Sequence, residues 1–292
     1  MIKLPSPVKH QDFTKLPYQE FANTLPPQNV ELHDLGVSSD GVNHVYGLSV
    51  GKLDGTKPVI YIQGGIHGLH EWRCAYYCTQ FIEMIGNPEQ HAQKQLIIDL
   101  RNKFDFYVIP YLNPYGYENN IYQNANGVNL NRNFPTYWDD VPESPPFSLE
   151  SKGTAPFSEP ETSAVRDIVE QYKPSLVIDC HSHGGYYGSI FKTENDAIKY
   201  NLLVREISKS TELNTNKDCD YQRYLESDNR SRVGSWISTQ TDKKRGKQMV
   251  ACTFEVGDQE TEKEQARIGI TGLLLACLHF SNWYETSRQT TK

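Results

Sequence analysis

Val59-Ile60-Tyr61-Ile62 runs into Gly64-Gly65-Ile66-His67-Gly68-Leu69-His70-Glu71, after which Ala75, Cys78, Phe81, Ile82 and Ile85 recur at helical intervals. A short β-branched and aromatic run ending at two glycines predicts a buried strand. The apolar spacing beyond it predicts a helix over Glu71–Ile85. Two histidines and a glutamate therefore sit at the turn between a strand and a helix.

The same alternation continues outward from this unit. Val45 to Val50 reads as an earlier strand, separated from the first by the turn signal Asp54-Gly55. Phe106 to Pro110 predicts another strand, and Leu112 to Pro160 a long Asn-, Gly-, Tyr- and Pro-rich loop of the kind that carries function. A helix is predicted for Glu161–Tyr172, opened by Ser158-Glu159-Pro160 and apolar through Ala164, Val165, Ile168 and Val169. Ser175–Cys180 and Met249–Val256 read as buried strands, Ala197–Leu213 and Glu262–Tyr284 as helices. Strands alternating with helices indicate an α/β fold with a mixed, largely parallel sheet flanked by helices. No repeat or linker divides residues 1–292, so a single domain is expected, with the Pro-rich residues 1–30 wrapping its surface.

Composition narrows the partners. The chain has 292 residues and a formal net charge of −7, which argues against nucleic acid or an anionic membrane as partner. The first residues lack the apolar core of a signal peptide, and Ile270 to Phe280 is too short to span a bilayer. A cytoplasmic protein is expected. Its six cysteines (Cys74, Cys78, Cys180, Cys219, Cys252 and Cys277) follow no zinc-finger spacing and read as buried thiols.

Polar clusters fall at three strand ends, where α/β sheets place their sites. They are the His67–Glu71 segment, Asp179-Cys180-His181-Ser182-His183-Gly184-Gly185, and Phe254-Glu255-Val256-Gly257. A catalytic zinc site needs three N and O ligands and an open position for water. Ligands at the start of one helix, three or four residues apart, share a face, and a third from another strand end completes the set. A carboxylate outside the ligand set can then accept a proton from water. His67, Glu71, His181 and Glu255 supply these parts.

The blocks GGIHGLHEW, NPYGYE, NGVNLNRNFP, PFSEPET, VIDCHSHGG and TFEVG, in this order between about Gly47 and Gly257, resemble the zinc carboxypeptidases of the carboxypeptidase A type. Carboxypeptidase A is itself a standard example of a two-histidine, one-glutamate zinc site. The resemblance implies a carboxypeptidase-like fold and one Zn2+ per chain on His67, Glu71 and His181. It implies Asn131 and Arg132 as the binders of the substrate's terminal carboxylate, an arginine fork being matched to that group. Glu255 would be the general base, and the substrate a peptide or an acyl-amino acid with a free carboxylate. The oligomeric state is left open.

Four positions depart from the family pattern. Glu71 stands four residues after His67 where the family has three, which also permits a His67–His70–His181 site. Tyr122 stands where the family places an arginine that stabilises the oxyanion; zinc alone, His70 or Arg73 would then carry that load. His183 replaces a tyrosine, and the family's mobile tyrosine has no clear counterpart, Tyr221 and Tyr224 reading as surface aromatics. The pocket floor corresponds to Trp236–Thr241, and Lys243, Lys244 and Arg245 beyond it suit either acidic substrate ends or a solvated loop. A deacylase of N-acyl amino acids and a catalytically weak C-terminus-recognition protein are the alternatives to a peptidase.

Overall fold

A computed structural model describes residues 15–182, 187–190, 209, 231–242, 247–256 and 261–289. The described strands are β1 (Glu31–Val37), β2 (His44–Val50), β3 (Val59–Gly64), β4 (Asp105–Ile109), β5 (Leu176–His181), β6 (Tyr187–Ile190), β7 (Thr241–Asp242), β8 (Lys247–Gln248) and β9 (Val250–Glu255). The described α-helices are α1 (Tyr18–Ala22), α2 (Trp72–Gly86), α3 (Lys94–Lys103), α4 (Pro114–Asn119), α5 (Pro160–Tyr172), α6 (Val233–Ile237) and α7 (Glu262–Gln289). The predicted Ala197–Leu213 helix lies outside the described residues, apart from Lys209.

The main sheet has seven strands in the order β1-β2-β4-β3-β5-β9-β6. Its centre, β4-β3-β5-β9, is parallel, and antiparallel pairs close it on both sides. Every residue of these four central strands is buried. That burial accounts for their near-continuous apolar sequences, since both faces are covered by other elements.

Side chains alternate between the two faces. Ile60, Ile62, Phe106, Val108, Ile178 and Cys180 pack with α2 and α7 in one core cluster. Val59, Tyr61, Tyr107, Ile109, Val177 and Ala251 pack on the other face, with α5 and α6. By the same alternation Gln63, Asp179, His181 and Glu255 belong to the α5–α6 face, at the C-terminal ends of their strands. The chain leaves β3 for β4 on one flank and returns to β5 on the other, so β3 and β5 bound a switch point where ligand crevices form.

The described part of the N-terminal segment is more than a surface wrap. Tyr18, Phe21 and Ala22 of α1 are buried in a cluster with Tyr76, Tyr111 and Tyr117. Tyr18 meets the Tyr117 ring edge-on at 5.5 Å.

Candidate active site

The β3–α2 connection turns sharply before it reaches the helix. Gly65 has φ +63°, and a Cβ there would fall 2.2 Å from the Tyr111 ring, so both conformation and space require glycine. Leu69 also takes a left-handed conformation, φ +54°. A 3-10 turn over Leu69–Glu71 then leads into α2. His67 thus precedes the helix and Glu71 occupies its N-cap position, so the expected sharing of one helical face does not occur. What brings them together is a loop, in which the Glu71 carboxylate accepts the His67 N–H at 3.0 Å. The left-handed Leu69 lies between the two, midway along this loop.

His181 arrives from the end of β5 and completes the group. One donor atom each from His67, Glu71 and His181 lies within 4.8 Å of the others, and all three residues are buried. Two imidazole nitrogens and a carboxylate oxygen at that spacing fit a zinc ion, which prefers N and O donors. Among the described residues this is the His/Cys/Asp/Glu group so placed, while the His70 side chain lies outside them.

A continuous hydrogen-bond chain orients His181. Tyr61 donates to Gln63 Oε1 at 2.7 Å, and Gln63 Nε2 donates to Asp179 Oδ1 at 2.8 Å. Asp179 Oδ2 lies 2.8 Å from His181 Nε2, and Glu71 Oε1 lies 2.8 Å from His181 Nδ1. Asp179 and Glu71 are both acceptors, so each ring nitrogen holds a hydrogen here; with a metal bound, Asp179 would keep the one on Nε2 and Nδ1 would be the nitrogen facing the ion. Burial opposes a charged imidazole, but Asp179 and Glu71 together hold His181 well above the ordinary histidine range. Burial likewise raises the Glu71 carboxyl, against the lowering pull of His181 and the His67 N–H. Two buried carboxylates around one imidazole create a place that favours positive charge, whether a proton or a divalent cation.

Asp179 and Gln63 went unassigned in the sequence reading. Strand alternation was the available signal for Asp179, which stands two residues before His181 and so on the same face.

Glu255 ends β9, and its Cα is in register with that of His181. Strand partners in register project to the same side, so this buried carboxylate stands beside the cluster. Tyr122 covers His67, with ring centroids 3.8 Å apart and planes 14° apart, and its hydroxyl lies 2.9 Å from His67 Nε2. Burial, with the Glu71 carboxylate second, pushes the Tyr122 phenol up to about 12, so it stays protonated at neutral pH.

Asn131 and Arg132 lie in a short 3-10 turn over Leu130–Arg132, both buried. Asn131 Oδ1 accepts from Val233 N at 3.2 Å, which ties the turn to α6. Ser231 fastens it further, donating to the Arg132 carbonyl at 2.9 Å. The Arg132 guanidinium reaches Glu150, a partner the sequence reading did not name. Trp236, expected at the pocket floor, is a core residue packed 5.7 Å from the Phe134 ring. His183, Tyr221, Tyr224, Lys243, Lys244 and Arg245 lie outside the described residues.

The fold and this cluster combine an α/β sheet with a buried nitrogen-and-carboxylate group at its strand ends and a second carboxylate alongside. Residues 18–272 match the family model for zinc carboxypeptidases, and the chain belongs to that family. It is 27% identical over 228 residues to mast cell carboxypeptidase A of Rattus norvegicus, covering 69% of this chain and 54% of that protein. It is 30% identical over 169 residues to carboxypeptidase B of Astacus astacus, covering 52% and 53%. The chain thus spans about half the length of these curated relatives. Among solved structures, thrombin activatable fibrinolysis inhibitor shares the fold at TM-score 0.71 and 22% identity, over 90% of this chain and 71% of that one. A metallo-carboxypeptidase from Burkholderia cenocepacia does so at TM-score 0.68 and 15% identity, over 91% and 68%.

Proposed function

We propose that the chain is a metallocarboxypeptidase that removes the C-terminal residue of peptides. The observation that carries this reading is the His67–Glu71–His181 group with Glu255 in register beside His181. His67, Glu71 and His181 would hold one zinc ion. When bound, zinc supplies the Lewis acidity that makes water a competent nucleophile near neutral pH and polarises a carbonyl. Glu255 accepts the proton of the attacking water and returns a proton to the leaving amine. Asn131 and Arg132 hold the terminal carboxylate and so set which amide bond faces Glu255. The products are a shortened peptide and a free amino acid.

The test combines metal analysis with turnover. Wild type is expected to carry about one zinc per chain and Glu71→Ala far less. Wild type is expected to cleave a peptide with a free C-terminus and spare its C-terminal amide. Glu255→Gln is expected to abolish cleavage while keeping the zinc. Full zinc retention by Glu71→Ala would remove that residue from the ligand set and return the three-histidine site. Cleavage of acyl-amino acids without release of residues from peptides would replace the peptidase reading with the deacylase.

A further inference from the structure

We infer that Tyr122 is the positioning residue for His67, holding the ring by its Nε2 so that Nδ1 is the atom presented to the metal. The inference rests on the metal centre proposed above. The parallel stack at 3.8 Å sets its plane, and the Tyr122 hydroxyl, 2.9 Å from Nε2, covers that edge of the ring. A ring covered at its Nε2 edge by an outer partner has its orientation settled before a metal arrives.

The backbone shows that Tyr122 is itself held in place. Its carbonyl accepts the Gly68 N–H at 3.4 Å, directly after His67. A Cβ on Gly68 would fall 1.7 Å from the Ile121 carbonyl oxygen, so the two strands of chain touch backbone to backbone. The His67 loop and the Tyr122 segment therefore move as one unit.

Comparison of the two imidazoles supports the same assignment. Asp179 meets His181 at Nε2, and Tyr122 meets His67 at Nε2. Both histidines are gripped at the same atom. Coordination through Nδ1 of each ring leaves both outer contacts in place: Nε2–H donates to the Asp179 carboxylate in one ring, and the Tyr122 hydroxyl stays over Nε2 in the other. The phenol orients His67 without adding a third carboxylate to Glu71 and Asp179, which suits a site meant for a single divalent ion.

Tyr122→Phe keeps the stacked ring and removes only the hydroxyl. Zinc affinity of the full chain, measured by competition with a chromogenic chelator, is expected to fall about 10- to 100-fold. The melting temperature of the metal-free variant is expected to match that of metal-free wild type, which separates orientation from packing. The visible spectrum of the cobalt-substituted variant is expected to change as the His67 ring loses its fixed angle. Zinc affinity and cobalt spectrum both equal to wild type would overturn the inference and leave Tyr122 as packing alone. Wild type that takes up no zinc would instead overturn the metal centre on which it rests.

Discussion

Arg132 is held by a carboxylate of its own chain: Nε and Nη2 donate to the two oxygens of Glu150 at 2.6 and 3.1 Å. Nη1 donates to the Asn131 carbonyl at 2.8 Å. A guanidinium has about five N–H groups in a fixed plane, so one hydrogen on each terminal nitrogen remains. Glu150 then braces the Nε–Nη2 edge of Arg132, and the carboxylate-binding role proposed for Arg132 would fall to its remaining terminal N–H groups.

Arg132→Lys retains the charge and loses the fork. For peptides with a free C-terminus KM is expected to rise about tenfold, with kcat changing less, as for loss of one charge-assisted hydrogen bond. Michaelis curves on a peptide and its C-terminal amide check this. Equal KM for the two substrates in wild type would remove Arg132 from carboxylate binding.

Asp179→Asn breaks the brace behind His181. The amide presents a donor where the ring nitrogen also carries hydrogen, and the tautomer is no longer fixed. Zinc dissociation constants are expected to rise about 10- to 100-fold, read by stepwise dialysis against chelator. An unchanged constant would show that Glu71 alone orients His181.

Glu161 gives a stability prediction away from the active site. It is fully buried, accepts from Ser39 N at 2.9 Å, and receives a longer bond from Asn124 Nδ2 at 3.2 Å. Burial nevertheless holds its carboxyl above the ordinary 4.5. With the native value raised, the folded state keeps the proton longer than the unfolded state. Stability is then retained at low pH and declines as pH climbs from about 4.5 through the raised native value. Wild type is expected to lose stability relative to Glu161→Gln across that window and to level off above it. Urea melts at a series of pH values measure the difference, and parallel curves would contradict the prediction.

Gly68→Ala tests the backbone contact at the His67 loop. A 1.7 Å approach to a carbonyl oxygen cannot be relieved by rotating a side chain, so one segment must shift. A loss of about 1–3 kcal/mol, the range for an overpacked site, is expected in chemical denaturation, together with weaker zinc binding. Wild-type stability in this variant would mean the loop has slack.

The central strands were readable as near-continuous apolar runs, and α2, α5 and α7 by the helical spacing of their apolar residues. β1 was missed for the opposite reason: as an edge strand it buries no residue fully, and its alternation is confined to half-buried His33 and Leu35. α3 buries only Ile97 and Leu100, too few to announce a helix. The residues of the His67–Glu71–His181 group were legible as strand-end polar clusters, but their geometry was not. Glu71 was paired with His67 on the ground of a helical face, and the structure joins them through a left-handed loop. The Arg132–Glu150 pair links positions 18 residues apart on irregular backbone, where no periodicity exists to signal a contact.

The left-handed Leu69 also bears on how kindred chains are to be found. A motif search that fixes the family's shorter interval starts at His67 and lands on His70, one residue short of Glu71. It would either reject such a chain as degenerate or assign it the wrong ligand. Allowing one extra residue, under the condition that a glycine precedes a residue able to turn left-handed, would recover this chain with Glu71 as its ligand.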